Sequence, residues 1–163
     1  MNANIRIAES NDMAQVLRLI TELAIYEKQP DAVEVTVDDL IAYGTGNNPD
    51  FTCFIAERDG EILGIALVYF RFSTWKGRTV HLEDLIVRQQ YRGEGLGMAL
   101  YTEVIKYTYE LGFKRVEWVV LDWNTSAIEF YQASGANVMK EWHTVQMDLE
   151  AMRKFLKQKG LLD

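Results

Sequence analysis

Two adjacent acids, Glu83 and Asp84, stand inside an aliphatic run, and Arg92-Gly93-Glu94-Gly95-Leu96-Gly97 follows a short polar turn later. Charged residues in the middle of a central strand are rarely buried without a function, and carboxylates can bind an ammonium group or take its proton. Salt bridges to Arg78 or Lys76 are the plain alternative. Glycines where a strand gives way to a helix let backbone N–H groups approach a ligand without a Cβ in the way. The helix N-terminus adds unsatisfied donors and a partial positive charge, so the turn suits a pyrophosphate. It is not a P-loop, because Met98-Ala99 stands where Lys-Ser or Lys-Thr is required. It does not fit a dinucleotide fingerprint either, since Glu110, at the spacing of the ribose-binding acid, falls inside the next helix.

Val80 to Val87 reads as the strand before this turn, and Leu96, Leu100, Val104, Tyr107 and Leu111 give the helix after it an apolar face. Ahead of them lie a strand at Asn4 to Ala8, a helix with N-cap candidates Ser10-Asn11-Asp12 running to Glu27, and a short helix from Thr36 to Gly44. Phe51 to Glu57 and Glu61 to Phe72 form a hairpin around Arg58-Asp59-Gly60. After the long helix come a buried strand from Arg115 to Leu121, a helix from Ser126 to Ala133 and a strand-like alternation from Val138 to Asp148. A terminal helix spans Leu149 to Lys159. Before that last helix the order is βααβββαβαβ. It predicts an α+β (mixed α/β) fold with an antiparallel meander and a parallel strand pair joined through a helix.

The 163 residues, 48% of them hydrophobic, suit a single domain over 1–163. No apolar run reaches the length of a membrane span, and the N-terminus lacks signal-peptide character. The net charge of −7 argues against nucleic acid and suits a cationic substrate. With one cysteine, Cys53, and two histidines, His81 and His143, neither an intramolecular disulfide nor an ordinary zinc site is expected. A cytoplasmic location is expected.

Arg92-x-x-Gly95-x-Gly97 resembles the acetyl-CoA signature of the GNAT superfamily of N-acetyltransferases. Asn124, Phe130-Tyr131 and Gly135-Ala136 resemble the second half of its pattern. Phe70 to Thr79, Leu82-Glu83-Asp84 and Leu121-Asp122-Trp123-Asn124 narrow the likeness to the diamine acetyltransferase subfamily. Ser73-Thr74-Trp75-Lys76-Gly77-Arg78-Thr79 is similar to the thialysine Nε-acetyltransferase branch, where the spermidine/spermine branch carries Asp at the place of Ser73. The resemblance implies the GNAT fold, a central mixed sheet flanked by helices whose parallel pair splays to admit the pantetheine of acetyl-CoA. It places cofactor contacts at Leu85, Ile86, Val87, Arg92, Gly93, Glu94, Gly95, Leu96, Gly97, Met98, Asn124 and Tyr131. It makes Tyr131 the general acid and Glu83 the group that binds the ammonium or relays its proton, directly or through water. Substrate contacts carry over to Tyr26, Glu27, Trp75, Glu83, Asp84 and Trp142, although Trp75 also suits a loop anchor and Trp142 a core or dimer contact. A homodimer is implied as well.

Acetylating a primary amine requires a proton route, because an amine of pKa about 10.4 is neutral in about one molecule in 2,500 at pH 7. The departing thiolate, conjugate to a thiol of pKa about 8.5, accepts a proton from a tyrosine held beside it. Expected is direct acetyl transfer from acetyl-CoA to a small polyamine or lysine-like amine in a ternary complex. Competing readings are a protein lysine or N-terminal acetyltransferase and a non-catalytic acyl-CoA-binding module.

Overall fold

The computed structural model describes residues 3–162. They fall into two compact units, the first ending at Leu121 and the second beginning at Asp122. The first holds β1 (Asn4–Ile7), α1 (Met13–Tyr26), α2 (Val37–Gly44), β2 (Thr52–Arg58), β3 (Glu61–Ser73), β4 (Gly77–Val87), α3 (Leu96–Glu110) and β5 (Val116–Glu117). The second holds α4 (Thr125–Ala133) and α5 (Leu149–Gln158).

The first unit is built on one sheet in the order β1-β2-β3-β4-β5. The first four strands pair antiparallel, and β4 pairs with β5 in parallel. Local chemistry sets the corners. Asp59 and Gly60 both take positive φ, 55° and 80°, as a two-residue turn of the right twist requires between β2 and β3. Thr36 caps α2: its hydroxyl accepts from the Asp39 N–H at 3.1 Å, while the Asp39 carboxylate accepts from the Thr36 N–H at 2.9 Å. Of the N-cap candidates Ser10-Asn11-Asp12, Asp12 is the N-cap of α1, and the three together form a 3-10 turn that leads into the helix. There Asp12 accepts from the Glu9 N–H at 2.7 Å and from both Arg6 terminal nitrogens, at 2.7 and 3.0 Å.

Alternation along the strands gives the sheet two faces. Met13, Val16 and Leu19 of α1 and Leu40 of α2 bury one face, against Cys53, Ile55, Ile65, Leu67 and Ile86. The out-of-phase Phe54 meets Tyr107 of α3 edge-on at 5.3 Å on the other face. Each large side chain removed from water there is worth about 1.5–3 kcal/mol. Gly64 has no room to be anything larger, since a Cβ would sit 2.8 Å from the Ile86 carbonyl oxygen and 3.1 Å from Leu100.

Two expectations are corrected. The strand foreseen over Arg115 to Leu121 is reduced to Val116–Glu117. From Trp118 the chain leaves the ladder, and the Trp118 ring packs edge-on against Tyr101 of α3 at 5.7 Å. The alternation from Val138 to Asp148 forms no strand in the described residues. Alternation makes a strand only where an edge offers hydrogen bonds, and here Val145 and Met147 are exposed. No described helix is long and apolar enough to cross a membrane.

Candidate active site

The centre of the site is an irregularity in β4. Its register against β3 runs Tyr69↔His81 and Val68↔Leu82, then resumes at Leu67↔Asp84, leaving Glu83 without a partner on the ladder. This bulge reverses the ordinary alternation. His81 lies across from Tyr69, Asp84 across from Leu67 and Ile86 across from Ile65, all on the face covered by α1. Glu83 joins them, with its carboxylate 3.5 Å from His81 Nε2. Adjacent strand residues are expected on opposite faces, yet the extra residue turns both acids to one side. Among the described residues no ion pair joins either acid to Lys76 or Arg78, and the Arg78 guanidinium lies over the Phe70 ring at 5.7 Å.

Glu27, just past the end of α1, completes a group of three carboxylates. Burial first, then the charges of Glu83 and Glu27, push the Asp84 carboxyl up to about 7. Burial and the Glu83 charge likewise hold Glu27 above the usual carboxylate range. Glu83 keeps 52% of its side chain exposed and is the member open to solvent. Three acids sharing one negative field are short of a cation.

Tyr69 and His81 lie next to Glu83, Arg71 and Glu117 lie around His81, and motif reading missed all four. The signal was available only through register, because they lie on three strands. Tyr69 stacks obliquely on His81 with ring centres 5.0 Å apart. Arg71 approaches His81 Nδ1 at 3.2 Å and pairs with Glu117 at 2.7 Å.

Just beyond this group the sheet opens. Among the described residues the parallel ladder is confined to Val80↔Val116 and His81↔Glu117, so the rest of β4, through Leu85, Ile86 and Val87, has no strand partner on the β5 side. The Ile86 side chain belongs to the core, which leaves its backbone to face that edge. The glycine turn follows. Gly93 and Gly95 take φ of 85° and 83°, with nothing within 4 Å of where a Cβ would stand. Gly95 is the N-cap of α3 and no side chain caps the helix, so donors near Leu96, Gly97 and Met98 are left for a ligand.

Side chains brace the turn from outside. Glu94 pairs with Arg58 at 2.7 Å, and the Tyr91 hydroxyl donates to Glu61 at 3.0 Å. Arg92 donates from Nε to the Val87 carbonyl at 3.0 Å, and its guanidinium lies 5.2 Å from the centre of the Tyr26 ring. Arg92 thereby links the glycine turn to the end of α1, where Tyr26 and Glu27 sit. A diphosphate fits such a turn: glycine backbone, an uncapped helix N-terminus and an adjacent guanidinium.

Trp75 is 79% exposed at the β3–β4 hairpin tip, where the Ser73 hydroxyl accepts from the Trp75 and Lys76 N–H groups at 3.2 Å each. In the second unit, Asn124 is the N-cap of α4, its side-chain oxygen accepting from the Ala127 N–H at 3.3 Å. Tyr131 is buried on α4, 5.3 Å from the Phe130 ring centre. Trp142 is 67% exposed and is no core residue.

Residues 13–136 match the acetyltransferase (GNAT) family. The chain is 40% identical over 161 residues to a thialysine N-epsilon-acetyltransferase of Bos taurus, covering 92% of this chain and 95% of the relative. It is 34% identical over 158 residues to a spermidine/spermine N(1)-acetyltransferase-like protein 1 of Homo sapiens, covering 91% of this chain but 23% of that longer protein. Among solved structures, an integron cassette protein from the mobile metagenome of V. cholerae superposes with a TM-score of 0.78 at 21% identity, covering 96% of this chain and 99% of that one.

Proposed function

The chain belongs to the acetyltransferase (GNAT) family, and on that premise we propose that it carries the acetyl group of acetyl-CoA to the primary amine of a small lysine-like substrate. The observation that carries this reading is the carboxylate group Glu27, Glu83 and Asp84 beside the freed edge of β4, with the glycine turn directly after it. A cation relieves what the three acids lack, and the adjoining edge and turn suit an extended thioester with a diphosphate. When bound, acetyl-CoA supplies the activated acyl group.

The roles of this chain's residues follow from their chemistry. Asp84 and Glu27 hold the ammonium, and the open carboxylate of Glu83 takes its proton directly or through one water. Tyr26 and Trp75 offer aromatic faces to the cation. Gly93, Gly95, Leu96, Gly97, Met98 and Arg92 hold the diphosphate, and the backbone of Leu85 to Val87 aligns the arm. Asn124 and Tyr131 are assigned to the pantetheine and to protonation of the leaving thiolate on the motif resemblance. Transfer is direct, since Cys53 is buried and its thiol is pushed well above the usual range, chiefly by burial. We take 1–163 as one acetyltransferase domain working as a cytoplasmic homodimer, a state that would cover exposed apolar side chains such as Trp142 and Val145.

The substrate class rests on Ser73. It can hydrogen-bond, but it cannot neutralise a distal ammonium as the Asp of the polyamine branch does. Turnover of acetyl-CoA with a panel of thialysine, lysine, ornithine, spermidine and spermine tests this. A higher kcat/KM for thialysine than for spermine is expected, with Ser73→Asp narrowing the gap about fivefold, or about 1 kcal/mol. A tenfold preference for spermine removes the lysine-like assignment, and absence of turnover with every amine removes the small-amine reading.

A further inference from the structure

His81 stands where three strands meet. It lies across from Tyr69 on β3 and Glu117 on β5, on the last rung before the parallel strands part. Its ring is buried and each nitrogen has a separate neighbour. Arg71 Nη1 is 3.2 Å from Nδ1, and a guanidinium has only donors, so Nδ1 must accept. The ring proton is then on Nε2, which is 3.5 Å from a Glu83 carboxylate oxygen.

We propose that His81 is a positioning residue for Glu83, its protonated Nε2 held 3.5 Å from the carboxylate, and that Arg71, anchored by Glu117, fixes that tautomer. This rests on the reading of Glu83 as the proton acceptor. Arg71 is itself held in place, since Glu117 binds it at 2.7 Å and is in turn bound by Arg115 at 3.0 Å. The groups facing the imidazole are Tyr69 and Arg71 from β3, Glu83 from β4 and Glu117 from β5, and Arg115, just before β5, pairs with Glu117. From the end of α1, Glu27 acts on Glu83. Burial and Arg71 favour the uncharged ring against the pull of Glu83 and Glu117, and burial prevails.

The uncharged state matters to the chemistry. An imidazolium would set an N–H against the Arg71 N–H groups and form an ion pair with Glu83, competing with the substrate ammonium. With one N–H only, His81 orients the carboxylate and leaves its charge available. In the step served, an N–H bond of the ammonium breaks and an O–H bond forms on Glu83. The freed lone pair attacks the acyl carbon, the C–S bond breaks as the nitrogen loses its second proton, the thiolate gains one proton to become the thiol, and the proton on Glu83 leaves through its solvent-open side. His81 gains and loses nothing.

Nitrogen-15 NMR of the wild-type imidazole reads the tautomer without any assay: a protonated Nε2 and bare Nδ1 are expected, and the reverse overturns the proposal. In the full chain, His81→Phe should lower kcat about tenfold with KM for acetyl-CoA unchanged, part of the 10²–10⁴-fold that general bases contribute. His81→Gln, whose amide can donate from a similar position, should recover most of that rate. Arg71→Met should let the ring protonate more readily and move the acidic limb of kcat/KM to higher pH. Wild-type kcat in His81→Phe, or an unmoved limb in Arg71→Met, overturns the proposal. Glu83→Gln separates the two layers. Loss of rate there beside normal rates in the His81 variants removes only this inference, whereas a wild-type rate in Glu83→Gln removes the proton-acceptor reading on which it rests.

Discussion

Replacing Asp84 by asparagine should stabilise the protein, and by more at pH 8 than at pH 4.5. Burial, aided by Glu83 and Glu27, raises the carboxyl from 3.8 to about 7 in the folded chain. Between those values the folded state binds the extra proton. The stability linked to protonated Asp84 is therefore complete below pH 3.8 and is lost as pH rises through about 7. Asparagine keeps the shape and cannot ionise. At about 1.36 kcal/mol per pH unit, its advantage over the wild type grows from about 1 kcal/mol at pH 4.5 to about 4 kcal/mol at pH 8. For a chain of this size each kcal/mol moves Tm by about 2–4 °C, so the gap in Tm should widen by about 10 °C across that range. Thermal melts of both proteins at matched ionic strength measure it; titrations of carboxylates remote from Asp84 cancel in the difference, while those of Glu83 and Glu27, which act on Asp84, form part of it. The same variant should raise KM for the amine, because the carboxylate that costs stability is one that receives the cation. A gap in Tm that is flat from pH 4.5 to pH 8 would refute the claim that burial holds a proton on Asp84.

Acetyl-CoA at a hundred times its Kd should stabilise the wild type by about 2.7 kcal/mol; Arg92→Ala should shrink that thermal shift, and an equal shift in both proteins takes Arg92 out of the cofactor site. Tyr131→Phe should keep acetyl-CoA affinity and lower kcat by about 10²-fold, as for loss of a general acid; unchanged kcat at saturating substrates returns Tyr131 to a packing role. Gly64→Ala should destabilise by about 1–3 kcal/mol, because the new methyl would meet the Ile86 carbonyl at 2.8 Å; an unchanged urea midpoint would show that β3 and β4 can part there without cost.

Local chemistry was legible in the sequence wherever a residue type answers to its own backbone. Asp59-Gly60 specified its turn, Thr36 with Asp39 its helix cap, and Gly93 and Gly95 the left-handed positions before α3, each through interactions within a few residues. The parallel pairing of β4 with β5 was legible too, since a helix between two strands leaves the crossover as the short solution. Tertiary structure decided what depends on partners from elsewhere. Alternation predicts a strand only if an edge accepts it, so Val138 to Asp148 stayed out of the sheet and β5 ended at Glu117. The bulge at Glu83 is a property of the β3–β4 register and is invisible in Leu82-Glu83-Asp84 alone, yet it turned two acids to one face. The raised carboxyl of Asp84 and the contact of Arg71 with His81 arise from burial and from charges brought together by folding, and one-dimensional spacing carries neither.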